Sequence, residues 1–276
     1  MKTTKNLLSL LVIALSAFLY TGCAKEVAKI AEKESVTDRN SIFAEMTYNQ
    51  EDAQVTAVLL TQGFKSTASG SASGSECLTA TYDLLVSPMK LTLDYGTSNC
   101  PCTDGKNRRG KVFVTFNGNM MDSLTVVSLA FDNYFVNDNQ VTGTRTTTTK
   151  GHNGAGNLNQ DVSTNGSIIM ANNAGTITYV SNQNREWTEG ESTAATTDDV
   201  YSFTGSANGT TTTGKDFTTT ITTPLVWKMS CTNFVSGVIE LKPSGDPKRV
   251  IDFGAGDCDN KATVTVLGIS FQITTG

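Results

Sequence analysis

From Cys77 onward, apolar and polar residues alternate with a period of two, and this constrains the fold more than any other feature of the chain. Leu78, Ala80, Tyr82 and Leu84 alternate with Thr79, Thr81 and Asp83. Val112, Val114 and Phe116 alternate with Phe113, Thr115 and Asn117. Leu225, Trp227, Met229 and Cys231 alternate with Val226, Lys228 and Ser230, and Ile269, Phe271 and Ile273 follow near the end. A strand with one face in a core and one in water needs this pattern, because successive side chains point to opposite faces. Turn formers such as Asn117-Gly118, Asn137-Asp138-Asn139, Asn172-Asn173 and Ala207-Asn208-Gly209 recur roughly every ten residues, the signature of hairpin after hairpin. The reading is an all-β fold of about fourteen strands, a large antiparallel meander in the form of a sandwich or open barrel. Between Leu124 and Phe131 the inward set slips from Leu124 and Val126 to Val127, Leu129 and Phe131, which predicts a β-bulge there.

Ahead of this domain, assigned to 77–276, the chain reads differently. Residues 23–76 divide into a tether, a short helix and a linker. Asn49 is placed to cap, Glu51 and Asp52 sit in a first turn, and Val55, Val58 and Leu59 repeat at helical spacing before Gly63, which predicts a helix over 51–62. The stretch Ser66 to Ser75, STASGSASGS, has nothing to bury and reads as linker. From about 141 to 223 threonine outnumbers large apolar residues. Its branched Cβ suits the pleat, so these segments read as polar, outlying strands with largely solvated faces.

Two stretches share one register. Asp94-Tyr95-Gly96 aligns with Asp252-Phe253-Gly254 and Cys100 with Cys258; after a gap, Lys111, Val114, Thr115 and Gly118 align with Lys261, Val264, Thr265 and Gly268. Both read as strand, cysteine-bearing turn, strand. A repeated aspartate beside a glycine is suited to fixing a turn by accepting backbone N–H groups. Cys77 lies 23 residues before Cys100 and Cys231 lies 27 before Cys258, so the repeat predicts Cys231–Cys258 and Cys77 with either Cys100 or Cys102.

Residues 1–22 read as an export signal: Lys2 and Lys5 precede a fourteen-residue apolar run, Leu7 to Tyr20, too short to span a bilayer as a helix. Leu19-Tyr20-Thr21-Gly22-Cys23 resembles a bacterial lipobox, which makes Cys23 the lipidation site and its lipid the membrane contact. Without Lys2 and Lys5 the chain holds 19 basic and 26 acidic groups, net −7. That balance argues against nucleic acid as a partner, since phosphates need a basic footprint. Export also favours disulfides among the five later cysteines, one of which is left over.

Candidate chemistry is sparse. His152 is the single histidine and lies in a Gly/Asn-rich turn, and there is no Cys-x-x-Cys, so no metal centre and no cofactor are assigned. No nucleophile-elbow or phosphate-loop sequence occurs. Asp257-Cys258-Asp259-Asn260 reads as an Asx turn rather than a calcium loop. Asp198, Asp199, Glu186, Glu189 and Glu191 gather near Trp187 and Tyr201, and two carboxylates beside an aromatic platform are what a glycosidase uses. Trp187, in a polar setting, is the candidate stacking residue for a ligand, and Arg108 and Arg109 form a basic knuckle that either meets an anionic ligand or pairs with Asp94 or Asp104.

The motifs Asp94-Tyr95-Gly96…Cys100-Pro101-Cys102-Thr103-Asp104-Gly105…Arg108-Arg109-Gly110-Lys111 and Phe253-Gly254-Ala255-Gly256-Asp257-Cys258-Asp259-Asn260-Lys261-Ala262 resemble a family of uncharacterised envelope lipoproteins from Bacteroidetes. Asp122-Ser123-Leu124 is similar to that phylum's O-glycosylation motif. The resemblance implies an outer-membrane lipoprotein and supplies no activity. The function expected is non-enzymatic, structural or binding, with an envelope protein or glycan as partner. The alternatives are a carbohydrate-active enzyme using Asp198, Asp199 or Glu186, and a carrier of lipid or lipoprotein in an open barrel.

Overall fold

A computed structural model describes residues 36–60, 70–73, 77–231 and 233–275; the expected signal peptide, Cys23 and Gly63 lie outside them. Residues 36–60 are helical (α1). The strands are β1 (Gly70–Ser73), β2 (Thr79–Asp83), β3 (Met89–Asp94), β4 (Cys100–Pro101), β5 (Asn107–Phe116), β6 (Val126–Val136), β7 (Asn139–His152) and β8 (Leu158–Ile169). After them come β9 (Thr176–Glu189), β10 (Val200–Thr210), β11 (Asp216–Lys228), β12 (Phe234–Pro243), β13 (Arg249–Ala255), β14 (Lys261–Val266) and β15 (Ile269–Thr274). All belong to one antiparallel sheet whose order follows the sequence, with fourteen strands on the path and β4 paired to β5 beside it. The meander is therefore as expected, and the sheet is open: β1 and β15 end the order without pairing to each other.

The period-two pattern is buried along most of its length, although Ile269, at the end of the sheet, is exposed. Val112, Val114 and Phe116 are buried, as are Leu225 and Trp227. Two clusters line the concave face, one drawn from β2 to β11 around Tyr48, Val55 and Leu59 of α1, the other from β8 to β15 around Ile42 and Met46. One helix thus supplies both halves of the core, and the sheet curls around it.

Five corrections follow. The stretch read as linker, Ser66 to Ser75, contains β1, whose Gly70–Ser73 pair antiparallel with Thr79–Tyr82 of β2. The helix expected over 51–62 is already helical at 36, so the stretch read as tether carries Ile42, Ala44 and Met46 into the core. Asn49 caps nothing; it lies mid-helix, donating to the Glu45 carbonyl at 3.0 Å. The threonine-rich strands are not outlying: β7 to β11 are central in the sheet. Their inward faces include buried Thr147, Thr149, Thr164 and Thr219, polar because what they enclose is polar. The β-bulge falls later than the pattern suggested. Leu124 sits in the preceding loop at φ 68°, and the register breaks between Ala130 and Tyr134, where Asn133 has φ 45°.

The bends that let the sheet wrap a helix sit at glycines. Gly110 and Gly143 have φ of +88° and +99°, and a Cβ on either would stand 2.0 or 2.2 Å from the carbonyl oxygen of Asn133 or Asn165 on the neighbouring strand. A glycine at positive φ inside a strand is a bulge device that sharpens local twist.

Both repeat copies form the turn the aspartate was expected to fix. The Gly96 N–H donates to Asp94 Oδ1 at 2.9 Å, and the Gly254 N–H to Asp252 Oδ1 at 2.8 Å. Cys77–Cys100 and Cys231–Cys258 are the disulfides, with Cα separations of 5.8 and 5.6 Å, and Cys102 is the free thiol among the described cysteines. In each copy the bond staples this turn to the segment leading into the strand that neighbours it, β2 or β12.

Candidate functional site

The most heavily constrained chemistry lies inside the sheet. Asp38, Glu45 and Asp52 follow one another at seven-residue steps, so they share one helical stripe, with Glu51 beside it. All four are buried, and buried acids require partners. Four arginines on inward positions of the sheet, Arg108 (β5), Arg145 (β7), Arg185 (β9) and Arg249 (β13), supply them to Glu51, Asp52 and Asp38, while Glu45 draws on Tyr179 and Gln183 of β9.

Arg108 donates to Glu51 Oε1 at 3.1 Å and to Asp104 Oδ2 at 2.7 Å, and the Tyr134 hydroxyl donates to the other Glu51 oxygen. Burial works against the Arg108 charge, but Glu51 and Asp104 outweigh it and raise its affinity for the proton. Asp52 accepts from Arg185 and lies 3.6 Å from Arg145 Nε, while Arg145 also donates to Asn49 Oδ1 at 2.6 Å. Glu45 accepts from the Tyr179 hydroxyl and from Gln183 at 2.9 Å. Asp38 stands 3.2 Å from Arg249 Nε. Since Glu45 meets Tyr179 and Gln183 while Asp52 meets Arg185, α1 runs in the same sense as β9. Where Tyr48 crosses β7 and β8, its hydroxyl donates to the Thr142 carbonyl at 2.9 Å, and a Cβ on Gly166 would stand 2.2 Å from the Tyr48 hydroxyl oxygen. Only glycine admits the helix this close.

The ligand-binding expectations resolve against this frame. Arg108 is fully buried, spent on Glu51 and Asp104, which is the Asp104 pairing the sequence allowed. Arg109 is on the outside, but it donates to Asn99 at 2.7 Å, pairs with Asp138 and covers the Phe135 ring 3.9 Å away. Trp187, expected to be open for stacking, is 4 % exposed and packs at 5.3 Å against Tyr201 on the concave face. Its polar neighbours in sequence misled, because Arg185 and Gln183, on the same inward parity, are polar yet buried.

The carboxylates cluster where the β7–β8 and β9–β10 loops meet. Glu186 points outward and accepts from Asn153 at 2.6 Å and Asn157 at 2.8 Å; Asn157 first, then Asn153, hold its carboxyl below the usual range. His152 lies 2.6 Å from Glu191, and these two line an open groove with Asn157, Glu189, Gly190 and Ser192, which Trp187 also borders although it is largely buried. Asp198 accepts from Thr193 at 3.0 Å. Asp199 alone is buried, beside the Trp187 indole and Tyr201 hydroxyl, and under Gly190, where a Cβ would stand 2.3 Å from its Oδ1. Burial, and then Asp198, push the Asp199 carboxyl up to about 6. Trp187 and Tyr201, facing it, favour the ionised form. So Asp199 is the one carboxyl here poised to hold a proton near neutral pH, and it is roofed by backbone.

Around Cys258 the Lys261 N–H donates to Asp259 Oδ1 at 3.2 Å, the Asx turn expected there, and no group of His, Cys, Asp or Glu with metal-binding geometry occurs among the described residues.

The acid stripe and its arginines escaped the sequence reading, although signals existed: acids at seven-residue steps along a helix, and arginines on the inward parity of strands. No family model matches this chain, nor does any curated protein or solved structure.

Proposed function

We propose that the protein is a non-enzymatic, lipid-anchored envelope lipoprotein, held to the outer membrane through Cys23, that serves as a structural or binding module for an envelope protein or glycan. The observation that supports this best is where the chain places its polar groups. The arginines and acids that would make a reactive interior are consumed pairing α1 to the sheet. The groups left to meet a partner stand on the outer face of β7, β8 and β9, where Thr146, Thr148, Asp161, Ser163, Asn182 and Asn184 line a shallow concavity. Hydroxyls and amides on a rigid sheet suit the hydrogen-bonding edges of a sugar. A glycan array probed with the soluble chain tests this, with Ser163→Ala/Asn184→Ala as the control. Binding lost in the double variant supports the reading; binding that survives it, or none, removes the glycan half. Anchoring is tested apart from it by Cys23→Ser, which moves the protein from the membrane to the soluble fraction if the lipid is the anchor.

A second reading is favoured by Asp199. A buried carboxyl pushed up to about 6, next to Asp198, is the kind of group a glycan hydrolase uses as general acid. Turnover of a glycan panel that disappears in Asp199→Ala promotes this reading over the first. The carrier alternative is the least supported, because α1 fills the space a lipid would take.

A further inference from the structure

The last strand of the sheet is an unprotected edge. β15 ends the strand order, and its β14 hairpin closes through Leu267 and Gly268, both at positive φ (50° and 80°), the two-residue turn that makes Val266 and Ile269 a closing pair. From that pair outward, the odd-numbered residues of β15 direct their N–H and C=O groups to β14, and the Thr275 N–H continues the parity by donating to the Asn260 carbonyl at 2.8 Å. Ser270, Gln272 and Thr274 therefore direct theirs away from the sheet, and all three are exposed. Native edges are normally blunted by charge, proline or a bulge. Here the fifteen residues from Ala262 to Gly276 contain no Asp, Glu, Lys, Arg or Pro, and β14 and β15 pair without a register break. Apolar surface also stays open beside the edge: Ile269 is 41 % exposed and Leu267 75 %.

We propose that β15 is a docking edge for a second copy of this chain, pairing antiparallel with its own image about a two-fold axis at Gln272. The segment is self-complementary in that register. Ser270 meets Thr274 on the outer face, and Phe271 of each copy meets Ile273 of the other on the inner face, so polar groups oppose polar and apolar oppose apolar. A chain of net charge −5 repels itself wherever its acids lie, and this edge is a stretch where it has none. An isologous pairing of this kind is self-complementary and closes at two copies.

The test is sedimentation velocity of the full exported chain, with Cys23 replaced by serine, over a wide concentration range. Reversible dimerisation is expected. Gln272→Lys places like charges opposite each other and raises the midpoint concentration by at least about fivefold, and so does Gln272→Glu. An equal mixture of the two variants regains the dimer, because the axis sets residue 272 against its own copy. Gln272→Pro removes an outward N–H, a change an edge strand tolerates, and abolishes pairing. A wild-type chain monomeric throughout overturns the proposal. Open-ended polymers overturn it too, since they mean that β15 meets a different edge. A mixture that fails to regain the dimer places the contact elsewhere.

Discussion

Asp52 is the single residue on which the helix–sheet arrangement can be tested most sharply. Its carboxylate serves two buried guanidinium groups, accepting from Arg185 Nη1 and lying 3.6 Å from Arg145 Nε, and its side chain is 5 % exposed. In Asp52→Ala, Arg185 keeps Gln160 at 2.8 Å and the Tyr201 ring at 5.0 Å, and Arg145 keeps Asn49 and Thr164. None of those partners is charged. Removing one partner of a buried pair costs about 3–5 kcal/mol, because the remaining charge stays desolvated. With two arginines on one carboxylate, the loss falls at the upper end, roughly 4–5 kcal/mol, a large fraction of the 5–15 kcal/mol typical of a whole domain. Replacing all three by apolar residues of similar length, Asp52→Leu/Arg145→Met/Arg185→Met, removes the desolvation cost together with the attraction and is expected to stay within about 2 kcal/mol of wild type. Asp161→Ala, which breaks an ion pair whose two side chains are 54 % and 56 % exposed, is the control and changes stability by at most about 0.5 kcal/mol. Urea unfolding followed by the fluorescence of buried Trp187 and Trp227 reads all three, with the disulfides kept intact. An Asp52→Ala cost below about 1 kcal/mol refutes the argument, since the arginines would then be reaching water. A triple variant as unstable as the single one refutes it as well, by showing that the charges stabilise beyond cancelling each other.

Other expectations are simpler. Asp199 has a folded value raised from 3.8 to about 6, so the folded state holds the extra proton; stability from this group is fully present below about 4 and is lost as pH rises to about 6, by at most about 3 kcal/mol. The difference between the wild-type and Asp199→Asn stability profiles should show that fall inside this window, and parallel profiles would mean that Asp199 is solvated. Gly143→Ala, with φ +99° and Asn165 O 2.2 Å from the added carbon, should cost about 2 kcal/mol or more, whereas Gly154→Ala, with open space around it, should be close to neutral by denaturant midpoint. Cys231→Ser opens a loop with a sequence separation of 27 and should lower stability by about 3 kcal/mol, leaving Cys258 as a second titratable thiol beside Cys102.

The parts of this fold that could be read in advance are those governed by local rules. Alternation placed Val112, Val114, Phe116, Leu225 and Trp227 inward because a pleat has only two sides, and the Asp-aromatic-Gly repeat placed both turns and Cys231–Cys258, and narrowed the partner of Cys77 to Cys100 or Cys102, because short-range geometry repeats faithfully. What escaped reading depends on a distant partner. Glu51 and Asp52 look like solvent-facing helix residues until the arginines on three different strands are brought to them, and Glu45 does so until Tyr179 and Gln183 are. For the same reason Thr147, Gln160 and Arg185 look like water-facing strand residues, and Trp187 among them looks exposed. A polar core inverts the rule by which inside and outside are told apart, so the candidate site was misplaced where the rule was inverted: Trp187, Arg108 and Asp199 lie in the interior, while Glu186 and His152, at the ends of β9 and β7, stay on the outside.

The same inversion explains why the sheet is bent as it is. A helix is about 10 Å across with its side chains, and a seven-residue step advances about 10.5 Å along it. Acids at 38, 45 and 52 therefore present carboxyl groups along some 21 Å of a single stripe, while the arginines that answer Asp38, Glu51 and Asp52 stand on β5, β7, β9 and β13, spread over much of the strand order. A flat sheet with strands about 4.8 Å apart holds β5 and β13 nearly 40 Å from each other, far beyond the reach of any side chain to one helix. The arginines can converge only if the sheet curls through most of a turn. The positive-φ glycines on β5, β7, β10 and β12, at 110, 143, 205 and 237, sit against neighbouring backbone where a Cβ would clash at 2.0 to 2.4 Å, and each coincides with or borders a break in register. Curvature and charge are in this sense one device. Gly143→Ala acts on the bend and Asp52→Ala on the charge, so their effects should be coupled: the double variant should be less destabilised than the two single losses added together, because a sheet already straightened has in part withdrawn its arginines from the helix. Strict additivity would separate the two and leave the bends to be explained by the turns alone.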